Sequence, residues 1–269
     1  MRMDDRISVK VAKALYLALV RPMRSARPVQ PIRALLRIPR AFDVTSWALQ
    51  TRDLRRLARI RDAYPAADGP HHRSVQDYNA GVTLKRPIQS TRQAEIYYEL
   101  LALPPRDQSR EKLLIVGPRS VHELLVAWLH GFSWRNISGI DLYSTNPKIA
   151  PMNMESMTFA DESFDAVAMA STLAYAEDTF AALNEVARVL RPGGRFAFGA
   201  TFDPGGADKW PEGSRGGAEI HGMLRRLGLD VYFHDSVDKT NSQGRRQTTH
   251  RFACVKPDPR LAPLDPLVL

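Results

Sequence analysis

A single cysteine, Cys254, stands in the 269 residues, which excludes a disulfide framework and a cysteine-based zinc cluster. It lies in the alternating run HRFACVKP, where a buried structural thiol is expected rather than a nucleophile. Long apolar runs are lacking too. The longest candidate, VAKALYLALV at 11–20, carries Lys13, follows Lys10 and falls short of the roughly 18 residues of a membrane span. The opening MRMDDR mixes acids with bases and no small-residue cleavage site follows it, so no secretory signal is read and a cytoplasmic location is expected. His71 and His72 sit side by side in GPHHRS with no further ligands at metal spacing, so that stretch reads as a loop and no metal site is expected. No repeat of about 20–50 residues is evident.

What is present suits one sizeable α/β domain with an appendage. The net charge of +9 is unevenly spread: residues 1–61 hold fifteen Lys and Arg against four acids, and the remainder is near neutral. The basicity belongs to a segment. That segment, 1–110, is Arg-rich and cut by prolines, with helical patterns at 5–20, in PIRALLRI, in SWALQTRDLRRLARIRDAY and in STRQAEIYYELLAL. In TRDLRRLARIRDAY, Leu54, Leu57 and Ile60 lie among five arginines, which fits a solvated helix face, a basic amphipathic helix against anionic lipid, or a cap that binds an acidic substrate. We read 1–110 as a basic helical arm or cap, 111–257 as the α/β domain and 258–269 as an irregular Pro-rich tail.

From residue 112 the pattern changes to strands alternating with helices: KLLIVG, SVHELLVAWLHGF, NISGIDLY, FDAVAMAS, DTFAALNEVARVL, GRFAFGATF, GGAEIHGMLRRLGL, DVYFHDSV and THRFACVKP. Such alternation argues for βαβ units and a parallel sheet, while the short polar loop before the last strand requires an antiparallel hairpin. Only about ten residues separate Asp141 from Met152, too few for a crossover helix before a third parallel strand. That helix should be missing or reduced, and the strand short.

In KLLIVGPRSVHE a buried strand meets a helix through a turn with one glycine, Gly117. Ser120 and Glu123 fit a capping box that starts the helix at about Val121, its amide-rich end facing the strand exit. Asp141 ends the second strand 24 residues later, where a carboxylate can accept both hydroxyls of a ribose held against the first loop. Further on, Pro192 should stop a helix, and Gly193 or Gly194 should take a positive φ in the Pro-Gly-Gly turn before the next strand.

The run from Gly117 through Asp141, then MNMESMTFADESFDAVAMASTLAY and ALNEVARVLRPGGRFAFG, resembles the class I S-adenosylmethionine-dependent methyltransferases, particularly their type 11 branch. The resemblance implies a Rossmann-like fold with a mostly parallel seven-stranded sheet ending in an antiparallel hairpin. It implies S-adenosylmethionine as cofactor, with Gly117, Pro118 and Arg119 beside its methionine part, Asp141 on the ribose, Leu142 flanking the adenine, and Asn153 and Met154 at the ring. Ser171 and Thr172, with Leu173 and Tyr175, would lie below the sulfonium on the route to the substrate. The chain departs from the pattern at Arg119 and Val121, where the family has glycines, and at Asn153, where it has an acid.

The implied reaction is transfer of a methyl group to a small molecule or glycan precursor, at oxygen before nitrogen. An aliphatic hydroxyl calls for a general base. Tyr175 is the leading candidate, ahead of His221, His234, His250 and Glu177, and His122 reads as a surface or cofactor-edge residue. Nucleic acid is disfavoured as a substrate, because the fourth strand exits into ASTLAY rather than an Asn or Asp followed by Pro-Pro-aromatic, and Cys254 is far from that exit. The rival reading is an inert module of the same fold that binds a partner or an anionic surface. A nucleotide-binding oxidoreductase is argued against by the Pro-Gly-Gly turn and the terminal hairpin.

Overall fold

The computed structural model describes residues 30–60, 69–85, 90–103, 106–144, 146–202, 216–240, 244 and 246–260. The helix expected at 5–20 and the tail beyond 260 lie outside these residues. Among the described residues four helices precede the sheet: α1 Gln30–Leu36, α2 Pro39–Ile60, α3 Pro70–Lys85 and α4 Ser90–Ala102. Then come β1 Leu113–Val116, α5 Val121–His130, β2 Ile137–Asp141, β3 Ile149–Pro151, β4 Phe164–Ala170, α6 Thr179–Val189, β5 Leu190–Phe202, α7 Gly217–Arg226, β6 Asp230–Thr240 and β7 Arg246–Val255. Among the described residues no helix is long and apolar enough to cross a membrane.

The seven strands form one sheet in the order β3-β2-β1-β4-β5-β7-β6. The first five are parallel; β7 runs antiparallel to β5 and pairs with β6 as the expected hairpin. β3 is three residues long and among the described residues no helix lies between β2 and it, as the spacing led us to expect. Its approach is a tight polar turn in which Ser144 Oγ accepts from Asn146 N (3.1 Å) and Asn146 O accepts from Ile149 N (2.9 Å). Asn146 Nδ2 in turn donates to the buried Asp53 of α2 (2.7 Å).

Alternation along β4 divides the core between two faces. Ala166, Ala168 and Ala170 face one side, and their small side chains let Ile96 and Leu100 of α4 and Leu124 and Trp128 of α5 pack close to the sheet. Leu36, Phe42 and Leu49 from α1 and α2 join the same core. Val167 and Met169 face the other side, against Leu183 and Val186 of α6 and Ile220 and Leu224 of α7. Full burial of such side chains stabilises by about 1.5–3 kcal/mol each. Arg33 of α1 lies over the Trp128 ring (5.0 Å) and donates to Phe132 O (3.0 Å), which fixes the helices before the sheet to the end of α5.

Four expectations are corrected. GPHHRS is not a loop: Pro70 occupies the first position of α3, where its missing N–H costs nothing, and His71 and His72 lie in the first turn. The capping box does not form, since Ser120 makes no side-chain cap bond and Glu123 Oε1 instead accepts from Arg119 N (3.0 Å), one residue further back. Pro192 does not stop a helix. α6 ends at Val189, and β5 starts at Leu190 and runs through the Pro-Gly-Gly stretch, with Gly193 at φ +74 and a register shift opposite Phe164–Ala166. His122 is no surface residue: it is 1% exposed, edge-to-face with Phe42 (6.0 Å), and burial pushes its pKa down to about 4. Cys254 is buried as expected, and burial pushes its thiol pKa up.

Candidate functional site

Parallel strands place their carboxyl ends, and the turns that follow them, along one edge of the sheet. Here the edge is a cleft of about 520 Å³ of empty space, part of it open to solvent. Of the residues singled out in the sequence, Gly117, Arg119, Asp141, Leu142, Asn153, Met154, Thr172 and Tyr175 line it. Pro118 and Ser171 are not among the lining residues: the Pro118 ring packs over Gly139, where a Cβ would come within 2.8 Å of it, and Ser171 takes a strained φ of 49° just after β4.

Gly117 turns the chain out of β1 with φ +73 and donates from its amide to Ile140 O (2.8 Å). A Cβ at this position would overlap the Thr172 side chain, so glycine is required both for the backbone and for the close approach of the β4 exit. The turn delivers the chain to the amino end of α5, whose first eight residues are all buried. Asp141, 8% exposed, ends β2 and is held by two donors at Oδ1: Tyr143 N (3.0 Å) and Asn79 Nδ2 (3.2 Å). Beside it, Leu142, Met152 and Met154 make an apolar slot with the backbone of Asn153, whose Oδ1 accepts from Glu155 N (3.0 Å).

The opposite wall is α3, which the sequence reading missed. His72, Val75 and Asn79 line the cleft, and Gln76 Nε2 donates to Leu142 O (2.8 Å). These four occupy positions i, i+3, i+4 and i+7 of one helical stripe, a periodicity visible in PHHRSVQDYNAG once Pro70 is taken as a helix start. At the Tyr175 end, His72 Nε2 lies 3.3 Å from Glu155 Oε1 and 3.9 Å from Glu177 Oε2, and His71 Nε2 is 3.2 Å from Tyr175 O.

Of the candidate bases, Tyr175 alone lines this cleft among the described residues, and Glu177 adjoins it through Glu155, whose Oε1 accepts from Glu177 N (2.7 Å). His234 and His250 stack on each other along the β6–β7 hairpin and His221 lies on α7, none of them lining the cleft. Among the described residues no group of three His, Cys, Asp or Glu is placed to hold a metal ion.

The cleft's donors and acceptors fit an adenosyl group. An acidic acceptor ends β2, an apolar slot adjoins it, and a glycine turn opens onto a helix amino end. Residues 131–198 match the family model described as methyltransferase domain. The fold is the Rossmann-like fold shared by S-adenosylmethionine-dependent methyltransferases, and the matched stretch runs from the end of α5 into β5. Two solved structures illustrate the likeness. A 1,6-didemethyltoxoflavin-N1-methyltransferase of Burkholderia thailandensis, solved with bound 1,6-didemethyltoxoflavin and S-adenosylhomocysteine, is 14% identical with TM-score 0.53, over 72% of this chain and 93% of that one. A chain from the complex of a methyltransferase with its activator from Haloferax volcanii is 17% identical with TM-score 0.53, over 68% and 97%. At these identities the likeness is one of fold. A search of curated proteins by sequence finds no match.

Proposed function

We propose that the domain is an active S-adenosylmethionine-dependent methyltransferase that methylates an oxygen of a small molecule or glycan precursor. The observation that carries this reading is the convergence, in one cleft, of Asp141, the Gly117 turn, the Leu142–Met154 slot and Tyr175, from strand ends far apart in the chain. When bound, the cofactor supplies a methyl group on a positively charged sulfur. The chain's own residues supply position and shelter. Asp141, oriented by Tyr143 N and Asn79, would accept from the ribose hydroxyls. Leu142, Met152 and Met154 would pack on the adenine, with Asn153 at its edge. The Gly117 turn, with Pro118 setting the loop and Arg119 at its rim, would pass the methionine part, and Ser171 and Thr172 would shape the floor. Tyr175, in the cleft's lining, would orient an acceptor hydroxyl or take its proton. Holding acceptor and donor in line accounts for much of such a rate.

Calorimetry with S-adenosylhomocysteine tests the reading. Binding that Asp141→Ala weakens is expected, and no binding at millimolar ligand sinks it. One observation favours the rival inert module: Arg119, where a glycine would allow closer approach, lines the cleft. For the rest of the chain we place the protein in the cytoplasm, with 1–110 as a cap and 258–269 as an irregular tail. The excess of fifteen bases over four acids in 1–61 supports peripheral contact with anionic membrane. Liposome pelleting in low and high salt, with and without 1–61, checks that part; binding that ignores salt or the deletion removes it.

A further inference from the structure

We infer that the groove between α4 and the β6–β7 hairpin is a second binding site, in which Glu99 holds the protonated amine of a small molecule with an apolar body. The inference is independent of the methyltransferase reading, because none of the residues lining this groove lines the cleft. The groove encloses about 1040 Å³ of empty space, part of it open to solvent. Two features shape it. Tyr232 Oη donates to Ala102 O (2.9 Å), which ties the hairpin to the end of α4. A register shift between Val231 and Phe233 lets two consecutive residues, Tyr232 and Phe233, both line the groove.

Glu99 is the group that calls for a ligand. It lines the groove at 3% exposure, and its Oε1 lies so close to β5 that a Cβ at Gly199 would come within 2.8 Å of it. Among the described residues no donor makes a hydrogen bond to this carboxyl. Arg251 attracts it only through space, with its guanidinium over the Tyr98 ring (4.7 Å) and 3.7 Å from Asp235. Burial therefore holds the Glu99 pKa well above the ordinary carboxylate value, with Arg251 pulling against the shift and Glu95 adding to it. A buried carboxyl without a donor costs stability that an apolar side chain there would not. An ammonium supplies what is missing, a positive charge and N–H donors in a sheltered setting.

The rest of the lining selects the body of the molecule. Glu99 and Asp235 outnumber Arg251, whose charge is already shared with Asp235, so an anion is repelled on balance. Around them Leu101, 58% exposed, with Tyr232 and Phe233, each 44% exposed, forms an apolar rim open to water, which hydrocarbon would cover. A neutral apolar molecule would cover the rim and still leave Glu99 without a donor.

The test is calorimetry on the full chain with 2-phenylethylamine and hexylamine, against the neutral 2-phenylethanol and the anion phenylacetate. The expected result is one-site binding of at least one amine and of neither control. Glu99→Gln, which keeps the size and removes the charge, should weaken the amine at least about tenfold. Leu101→Lys, on the exposed rim, places a like charge at the mouth and should weaken it about threefold with an unchanged unfolding midpoint; this variant carries the test should Glu99→Gln fail to fold. Neither amine binding at millimolar concentration, a control binding as well as the amines, or variants that bind the amine like the unsubstituted chain would each overturn the inference. So would a dimer in sedimentation that Leu101→Lys dissociates, since the groove would then belong to a second copy of the chain.

Discussion

The two walls of the cleft are built differently. One consists of the carboxyl ends of β1, β2 and β4 with their turns, positions that the sheet fixes through buried backbone ladders and a core on each face. The other is α3, a helix whose inner stripe is His72, Val75, Gln76 and Asn79 and which is fastened across the cleft by side-chain bonds to Asp141, Leu142, Glu155 and Tyr175. On the proposed function, the strand wall would hold the adenosyl group. The helix wall is held by a few bonds, each worth about 0.5–1.5 kcal/mol net, so substitutions in it should alter selectivity more than folding.

Breaking the strand wall should have the largest effect. Asp141→Ala removes a carboxylate that would accept charge-assisted bonds from two hydroxyls, at about 1.5–3 kcal/mol each. S-adenosylhomocysteine should bind on the order of a hundredfold more weakly by calorimetry.

The seam between the N-terminal helices and α5 can be probed by acid. His122 is pressed against Phe42 with its folded pKa lowered to about 4, below the 6.5 of the unfolded chain. The unfolded chain therefore binds a proton that the folded one refuses, and stability should fall as the pH drops from 6.5 towards 4. The full loss is about 3 kcal/mol, at 1.36 kcal/mol per unit of pKa difference. Urea unfolding across that range should show the slope, and His122→Phe should flatten it.

Gly117→Ala should cost about 2 kcal/mol of stability, since it places a Cβ in a left-handed conformation and into the Thr172 side chain. Thermal unfolding measures this, and adding Thr172→Ser, which removes one of the crowded atoms, should restore part of it. On the helix wall, Asn79→Ala leaves Asp141 with Tyr143 N at Oδ1. It should weaken S-adenosylhomocysteine by only about threefold, with the unfolding midpoint nearly unchanged. A loss as large as that of Asp141→Ala would erase the contrast between the walls.

The strand wall was legible because its signals are local. Short apolar runs alternating with helical ones pointed to the parallel strands, the short polar loop before the last strand to the hairpin, and the ten residues between Asp141 and Met152 to the missing helix before β3. α3 was not legible, because its inner face meets carbonyls and carboxylates instead of an apolar core. Its stripe is thus polar, and the hydrophobic period that marks α4 and α6 is absent. Nor could the sequence show that Gly117 must be small for Thr172, a residue 55 positions away that only the β1–β4 pairing brings alongside. His122 was misplaced for a related reason. A histidine in the first turn of a helix reads as exposed until α2 is known to lay Phe42 across it.

The central claim is that this cleft receives S-adenosylmethionine through the strand wall despite Arg119. The most direct measurement is calorimetric titration of S-adenosylhomocysteine into the full chain and into its Asp141→Ala variant. One-site binding well below millimolar in the unsubstituted chain, weakened on the order of a hundredfold in the variant, is the predicted result. Absence of binding at millimolar ligand, or equal binding to both chains, would contradict it.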